Sequence, residues 1–106
     1  MSFIQLFFPA NGEPETLSSD GSISTSTSST YLSALLNLDM TLADVSQLGH
    51  FKEIACIGAL TTADITLTLD GFSSISLAIA GWVNLYWDDE NEWWVIFRGQ
   101  GYTKNV

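Results

Sequence analysis

A chain of 106 residues that is 46% hydrophobic has a single domain's length and enough apolar side chain to bury a core, which excludes wholesale disorder. Twelve acidic residues against three basic ones, a net charge of −9, exclude nucleic acid as a natural partner: phosphate neutralisation needs clustered Lys and Arg, and Lys52, Arg98 and Lys104 are scattered. The same imbalance argues against anionic membrane surfaces, no run approaches the roughly 18–20 apolar residues of a membrane span, and the lone Cys56 rules out an intrachain disulfide.

The first residues, Met1 to Pro9, lack a basic n-region, are interrupted by Gln5 and meet proline before an h-region of about 7–15 residues can form, so they are read as mature protein rather than a signal peptide. Phe3, Ile4, Leu6, Phe7 and Phe8 make an apolar stretch followed by the turn-rich Asn11-Gly12-Glu13-Pro14. Residues 1–19 are therefore expected to form an N-terminal arm that docks on a partner, the competing reading being the first strand of the domain. Residues 22–31 alternate Ser with β-branched Thr and suit an exposed strand better than a linker. Leu32, Leu35 and Leu36 offer at most one turn of helix. Leu38, Met40 and Leu42 alternate with polar residues, and Phe51 to Ile57 is an apolar run. Ile65 to Leu69 ends at Asp70-Gly71 and Ile75 to Ile79 at Ala80-Gly81, period-two segments with hairpin punctuation. Short strands without a long helix predict an all-β fold over residues 20–106, a small antiparallel, jelly-roll-like β-sandwich or a small barrel.

All four tryptophans fall in two runs, residues 81–87 and 92–98, around the acidic tip Asp88-Asp89-Glu90-Asn91. A hairpin is expected, and it is apolar on both faces: Val83, Leu85 and Trp87 alternate with Trp82 and Tyr86, while Trp93, Val95 and Phe97 alternate with Trp94 and Ile96. A strand with one wet face is apolar only at every second position, so this hairpin calls for two covers. The domain's own core is one and a second copy of the chain the other, which makes Trp82, Tyr86, Trp87, Trp93, Trp94 and Ile96 the expected core and oligomer-interface residues.

Chemistry-bearing patterns are weak. The tip carboxylates lack the Asp-x-Asp-x-Asp-Gly spacing of a calcium loop and read as a solvated turn. His50 has no recognisable metal or nucleophile partner, Gly71-Phe-Ser-Ser-Ile75 lacks the second glycine of a nucleophile elbow, and Gly99-Gln-Gly101 precedes no helix. Cys56, among Ile54, Ala55 and Ile57, reads as a buried thiol. No catalysis, metal or cofactor is expected. Trp93, Trp94 and Asp88 could stack on and hydrogen-bond a sugar, although rings alternating with aliphatics inside strands more often fill a core or an interface.

In order and spacing, Ser24–Leu32, Thr41-Leu42-Ala43-Asp44, Gly49 to Ile54 with Lys52, Ile65–Leu69, Gly81-Trp-Val-Asn-Leu-Tyr-Trp87 and Trp94-Val95-Ile96 resemble a β-rich domain of virion proteins in tailed phages, marine ones especially, and in large algal viruses. Two features depart from that pattern: the glycine after Thr-Leu-Ala-Asp is displaced to Gly49, and the Trp87–Trp94 turn is longer and more acidic. The resemblance implies a non-enzymatic capsid decoration, cement protein or short spike, with a receptor- or glycan-binding fibre head as the alternative. It also implies a homotrimer at the virion surface, assembled in the host cytoplasm, beside a major capsid protein or a vertex or tail component.

Overall fold

The computed structural model describes residues 14–46 and 50–106. The expected arm residues Phe3 to Phe8 lie outside them. Among the described residues the secondary structure is all β: β1 (Glu15–Leu17), β2 (Gly21–Ile23), β3 (Ser29–Leu32), β4 (Leu38–Leu42), β5 (Phe51–Cys56), β6 (Ala63–Leu69), β7 (Phe72–Asp88) and β8 (Trp93–Asn105). The expected all-β class is right, whereas the expectation of wholly antiparallel pairing is not. All eight strands belong to one hydrogen-bonded sheet of order β1-β3-β5-β7-β8-β6-β4-β2, and the β1–β3, β3–β5, β2–β4 and β4–β6 pairs are parallel.

The chain therefore winds instead of folding back. β1, β3 and β5 stack in one parallel ladder, β2, β4 and β6 in another, and each turn of the winding contributes one strand to each. Connections 18–20, 33–37 and 57–62 stack along one corner, where Ser33 N–H donates to Leu17 O (2.9 Å) and Ile57 N–H to Leu32 O (2.9 Å). Thr61 fastens two of these connections. Its Oγ1 accepts from Ala34 N–H (2.7 Å) and donates to Ala34 O (2.7 Å), an arrangement that fixes the corner without a helix. The helical turn expected near Leu32–Leu36 is this corner, and the expected strand over 22–31 is two short strands, β2 and β3, separated by bends at residues 25–28.

The hairpin β7–β8 closes the winding. The predicted Asp70-Gly71 turn forms, with Gly71 at φ 77°, and returns β7 along β6 as far as Leu77 opposite Ala63. The second predicted turn, Ala80-Gly81, does not reverse the chain. Ala80 takes φ 63° and bends β7 around the corner, so that its second half runs antiparallel to β5 from Ala55↔Trp82 to Phe51↔Tyr86. β8 follows the same bend at Gly101 (φ 70°). A Cβ on Gly81 would lie 2.5 Å from Gly101 O and 2.9 Å from Ala78 O, so the two ribbons cross closely there because residue 81 has no side chain. Gly81→Ala is accordingly expected to destabilise the protein by about 1–3 kcal/mol, measured as a lower urea midpoint with unchanged m-value.

Alternation sorts the side chains. β4 and β6 bury every second residue, and Ile23, Leu32, Met40, Ile54, Ile65, Ile75, Leu77, Val83, Leu85, Trp87 and Trp94 meet in one core between the two ladders. β1, within the stretch read as arm, pairs in register with β3 (Glu15↔Thr30, Leu17↔Leu32) and so belongs to the sheet.

Candidate functional site: two unlike outer faces

The outer face of the even ladder is polar. Adjacent strands align Ser22, Thr41, Thr66, Ser74 and Asn105 in one row and Asp39, Asp64, Ser76 and Thr103 in the next. Their groups satisfy one another: Ser76 Oγ donates to Asp64 Oδ1 (2.7 Å), Asn105 Nδ2 donates to Ser76 Oγ (2.9 Å) and Ser74 Oγ (3.1 Å), and Asn37 Nδ2 donates to Asp64 Oδ2 (3.2 Å). This face is polar, and its groups are paired with one another.

The outer face of the odd ladder is aromatic. Because Lys52, Ile54 and Cys56 point inward from β5, Phe51, Glu53 and Ala55 point outward. Their partners Tyr86, Asn84 and Trp82 on β7 do likewise, and the register carries the face on to Val95 and Arg98 of β8. A bulge between Asn84 and Leu85 adds Phe97 to this side. The rings lie together: Phe97 is 5.8 Å from both Phe51 and Tyr86, and the Arg98 guanidinium sits 6.0 Å above Trp82. Tyr86 and Phe97 remain exposed. At the centre of the face Asn84 is only 8% exposed, and its Oδ1 has no hydrogen-bond partner among the described residues, a cost of about 1–3 kcal/mol unless something donates to it.

The predicted interface residues thus divide. Trp87 and Trp94 are core, packed edge to face at 5.5 Å, with Trp94 Nε1–H donating to Ala43 O (3.1 Å). Ile96 packs against that core. Trp82, Tyr86 and Trp93 occupy the outward register positions, as the two-sided alternation implies.

The acidic tip is a structured turn. Asp88 O accepts from Glu92 N–H (2.8 Å), and the Asp88 carboxylate accepts from Glu90 N–H, Asn91 N–H and Asn91 Nδ2 (3.1, 3.2 and 2.8 Å). These donors hold its carboxyl below the usual range. Asp89, Glu90 and Glu92 are exposed, and among the described residues no group of three or more His, Cys, Asp or Glu side chains is placed to hold a metal ion. His50 is buried on the edge of Trp94 (6.0 Å), and burial lowers its pKa. Burial pushes the Cys56 thiol up to about 11, which makes it inert at neutral pH.

Lys52 is the residue that composition alone passed over. Its side chain is wholly buried, with Nζ donating to Thr27 Oγ1 (2.7 Å) and Thr27 O (3.0 Å) and lying 3.8 Å from Glu15 Oε2. The same Glu15 oxygen accepts from Thr30 Oγ1 (2.6 Å) and Ser24 N–H (2.8 Å). One buried ion pair therefore ties β1, the bend after β2, and β5 together. The signal was in the sequence: with Ile54 and Cys56 inward, position 52 must be inward too.

An open groove of about 590 Å³ lies at the far end of the even ladder, lined by Thr41, Asp44, Thr66, Thr68 and Phe72 among others. Among the described residues no helix is long and apolar enough to cross a membrane. The chain matches no family model, and no curated protein is significantly similar to it.

Proposed function

We propose that the chain is a virion structural protein without catalysis, a capsid decoration or cement component or a short spike, acting as a homotrimeric, sandwich-like knob on the virion surface. Its neighbours are then copies of itself and other virion proteins, such as the major capsid protein or a vertex or tail component. The observation that carries this reading is the contrast between faces: one polar and internally paired, the other an aromatic sheet surface of Phe51, Trp82, Tyr86 and Phe97, suited to burial against another protein. The order of motifs from Ser24 to Ile96 supports it independently. In virus particles produced from a genome that carries this chain, the protein should co-sediment with the capsid. Tyr86→Ser with Phe97→Ser should then lower its incorporation at least ~10-fold at unchanged thermal stability. Absence from purified particles sinks the proposal.

Asn84 favours the fibre-head alternative. A buried acceptor without a donor among the described residues, on a face that also carries Trp82, Tyr86 and Phe97, is what a sugar hydroxyl would complete. Quenching of tryptophan fluorescence by a defined oligosaccharide, lost in Asn84→Ala, would support glycan binding, and a blank glycan array with the full chain would remove it.

A further inference from the structure

Five of the eight large hydrophobic residues that stand exposed among the described residues gather at one place the aromatic face does not include. Leu35, Leu36, Ile57, Leu60 and Ile79 are 53–77% exposed. All lie on the stacked corner of the winding, Leu35 and Leu36 in connection 33–37, Ile57 and Leu60 in connection 57–62, and Ile79 in the bend of β7. The bend belongs to the same stack because Ala55↔Trp82 and Ala63↔Leu77 set residues 78–81 directly across from 57–62. The result is an aliphatic ridge running over three successive layers.

The ridge is also free of charge. Residues 33–37 (Ser-Ala-Leu-Leu-Asn), 57–62 (Ile-Gly-Ala-Leu-Thr-Thr) and 78–81 (Ala-Ile-Ala-Gly) contain no ionisable side chain, in a chain of net charge −9. The outer faces differ in this respect: the polar one carries Asp39 and Asp64, the aromatic one Glu53 and Arg98, and the opposite end of the winding carries the acidic tip. Copies of so acidic a molecule repel one another through the polar face and the acidic tip, whereas on the aromatic face Glu53 and Arg98 offset each other. At the ridge they can approach with Asp20, at its margin beside Leu35 and Leu36, as the one ionisable side chain among the stacked connections. Its five side chains present an apolar area on the order of 500 Å², at the upper end for a monomer and a large part of the ~800 Å² per partner of a standard interface.

We infer that the aliphatic corner is where copies of this chain pack against each other, leaving the aromatic face to the other partner. The inference rests on the proposed oligomeric state and assigns it a surface different from the one the tryptophan pattern suggested.

The full chain, followed by sedimentation velocity between about 1 and 100 μM in ~150 mM salt, should be an oligomer. Leu36→Glu with Leu60→Glu, and separately Leu36→Ser with Leu60→Ser, should sediment as one chain, their association weakened at least ~100-fold. Both replaced side chains are exposed, so the near-ultraviolet dichroism of Trp87 and Trp94 should be unchanged and will show that the variants are folded. Tyr86→Ser with Phe97→Ser should leave the oligomer intact. Folded corner variants that remain oligomeric, or an oligomer lost with the Tyr86 and Phe97 changes instead, overturn the corner assignment while leaving the oligomeric structural role standing. A wild-type chain that is monomeric at 100 μM, as when residues 1–13 of the same chain cover the ridge, overturns both.

Discussion

Trp94→Ala is expected to cost about 3–5 kcal/mol, enough to leave a domain of this size marginal or unfolded at 37 °C. Trp94 is 1% exposed and joins three parts of the molecule. Its ring meets Trp87 edge to face at 5.5 Å and His50 at 6.0 Å, its indole N–H donates to Ala43 O after β4, and its backbone pairs with Leu69, where the start of β8 meets the end of β6. Truncation removes apolar volume from that junction and leaves the Ala43 carbonyl without its donor. Neighbours held in two ladders and a hairpin cannot all collapse into the space, so the cavity term adds to the transfer term. Trp94→Phe should recover much of the packing and lose the hydrogen bond, at an intermediate cost. Urea titration followed by the fluorescence of the remaining tryptophans measures both, and a Trp94→Ala variant within 1 kcal/mol of wild type would mean that this junction is not what closes the fold.

What the sequence made legible was the parity of its strands. Leu38, Met40 and Leu42 turn inward together, as do Ile65, Leu67 and Leu69. The Asp70-Gly71 hairpin and the hairpin around the acidic tip form where their turn residues stand. Period-two spacing says which way a side chain points but not which strand lies beside it, and there the expectation failed. Parallel neighbours ordinarily need a crossover of a dozen or more residues, usually a helix, and there is no helix among the described residues. In a winding, the crossover from β1 to β3 is itself strand β2, so short connections of hairpin length conceal parallel pairing. Ala80-Gly81 misled for a related reason: a single left-handed residue inside a continuous ribbon bends it around a corner, whereas the dipeptide read alone looks like a reversal.

The candidate surfaces were legible to different degrees. The two-sided apolar hairpin correctly separated Trp82 and Tyr86 from Val83, Leu85 and Trp87, because the register of β7 on β5 preserves parity. Leu35, Leu36, Ile57 and Leu60 could not be placed: as a sequence they resemble fragments of core, and only the stacking of connections 33–37 and 57–62 through Thr61 and Ala34 puts them together on the outside.

The buried ion pair makes stability depend on alkaline pH in a direction opposite to that of an exposed salt bridge. Burial, opposed in part by Glu15, lowers the Lys52 pKa from 10.5 to about 8. Below pH 8 the lysine is charged whether the chain is folded or not, and folding bears the cost of burying that charge. Between pH 8 and 10.5 the unfolded chain still holds the proton while the folded one has released it, so the unfolded state binds more protons and stability rises with pH. Above 10.5 both forms are neutral and the gain is complete. A displacement of that size corresponds to roughly 3 kcal/mol. Lys52→Met keeps the length of the stem and cannot titrate, so the difference in unfolding free energy between wild type and variant should rise by about that amount from pH 7.5 to 10.5, while titrations common to both proteins cancel. Measuring above pH 7.5 also keeps clear of His50, whose lowered pKa adds stability that is present above 6.5 and lost as the pH falls through its folded value. A flat difference across that window would show that Lys52 keeps its proton in the folded chain, held by Glu15 and Thr27 more firmly than burial disfavours it.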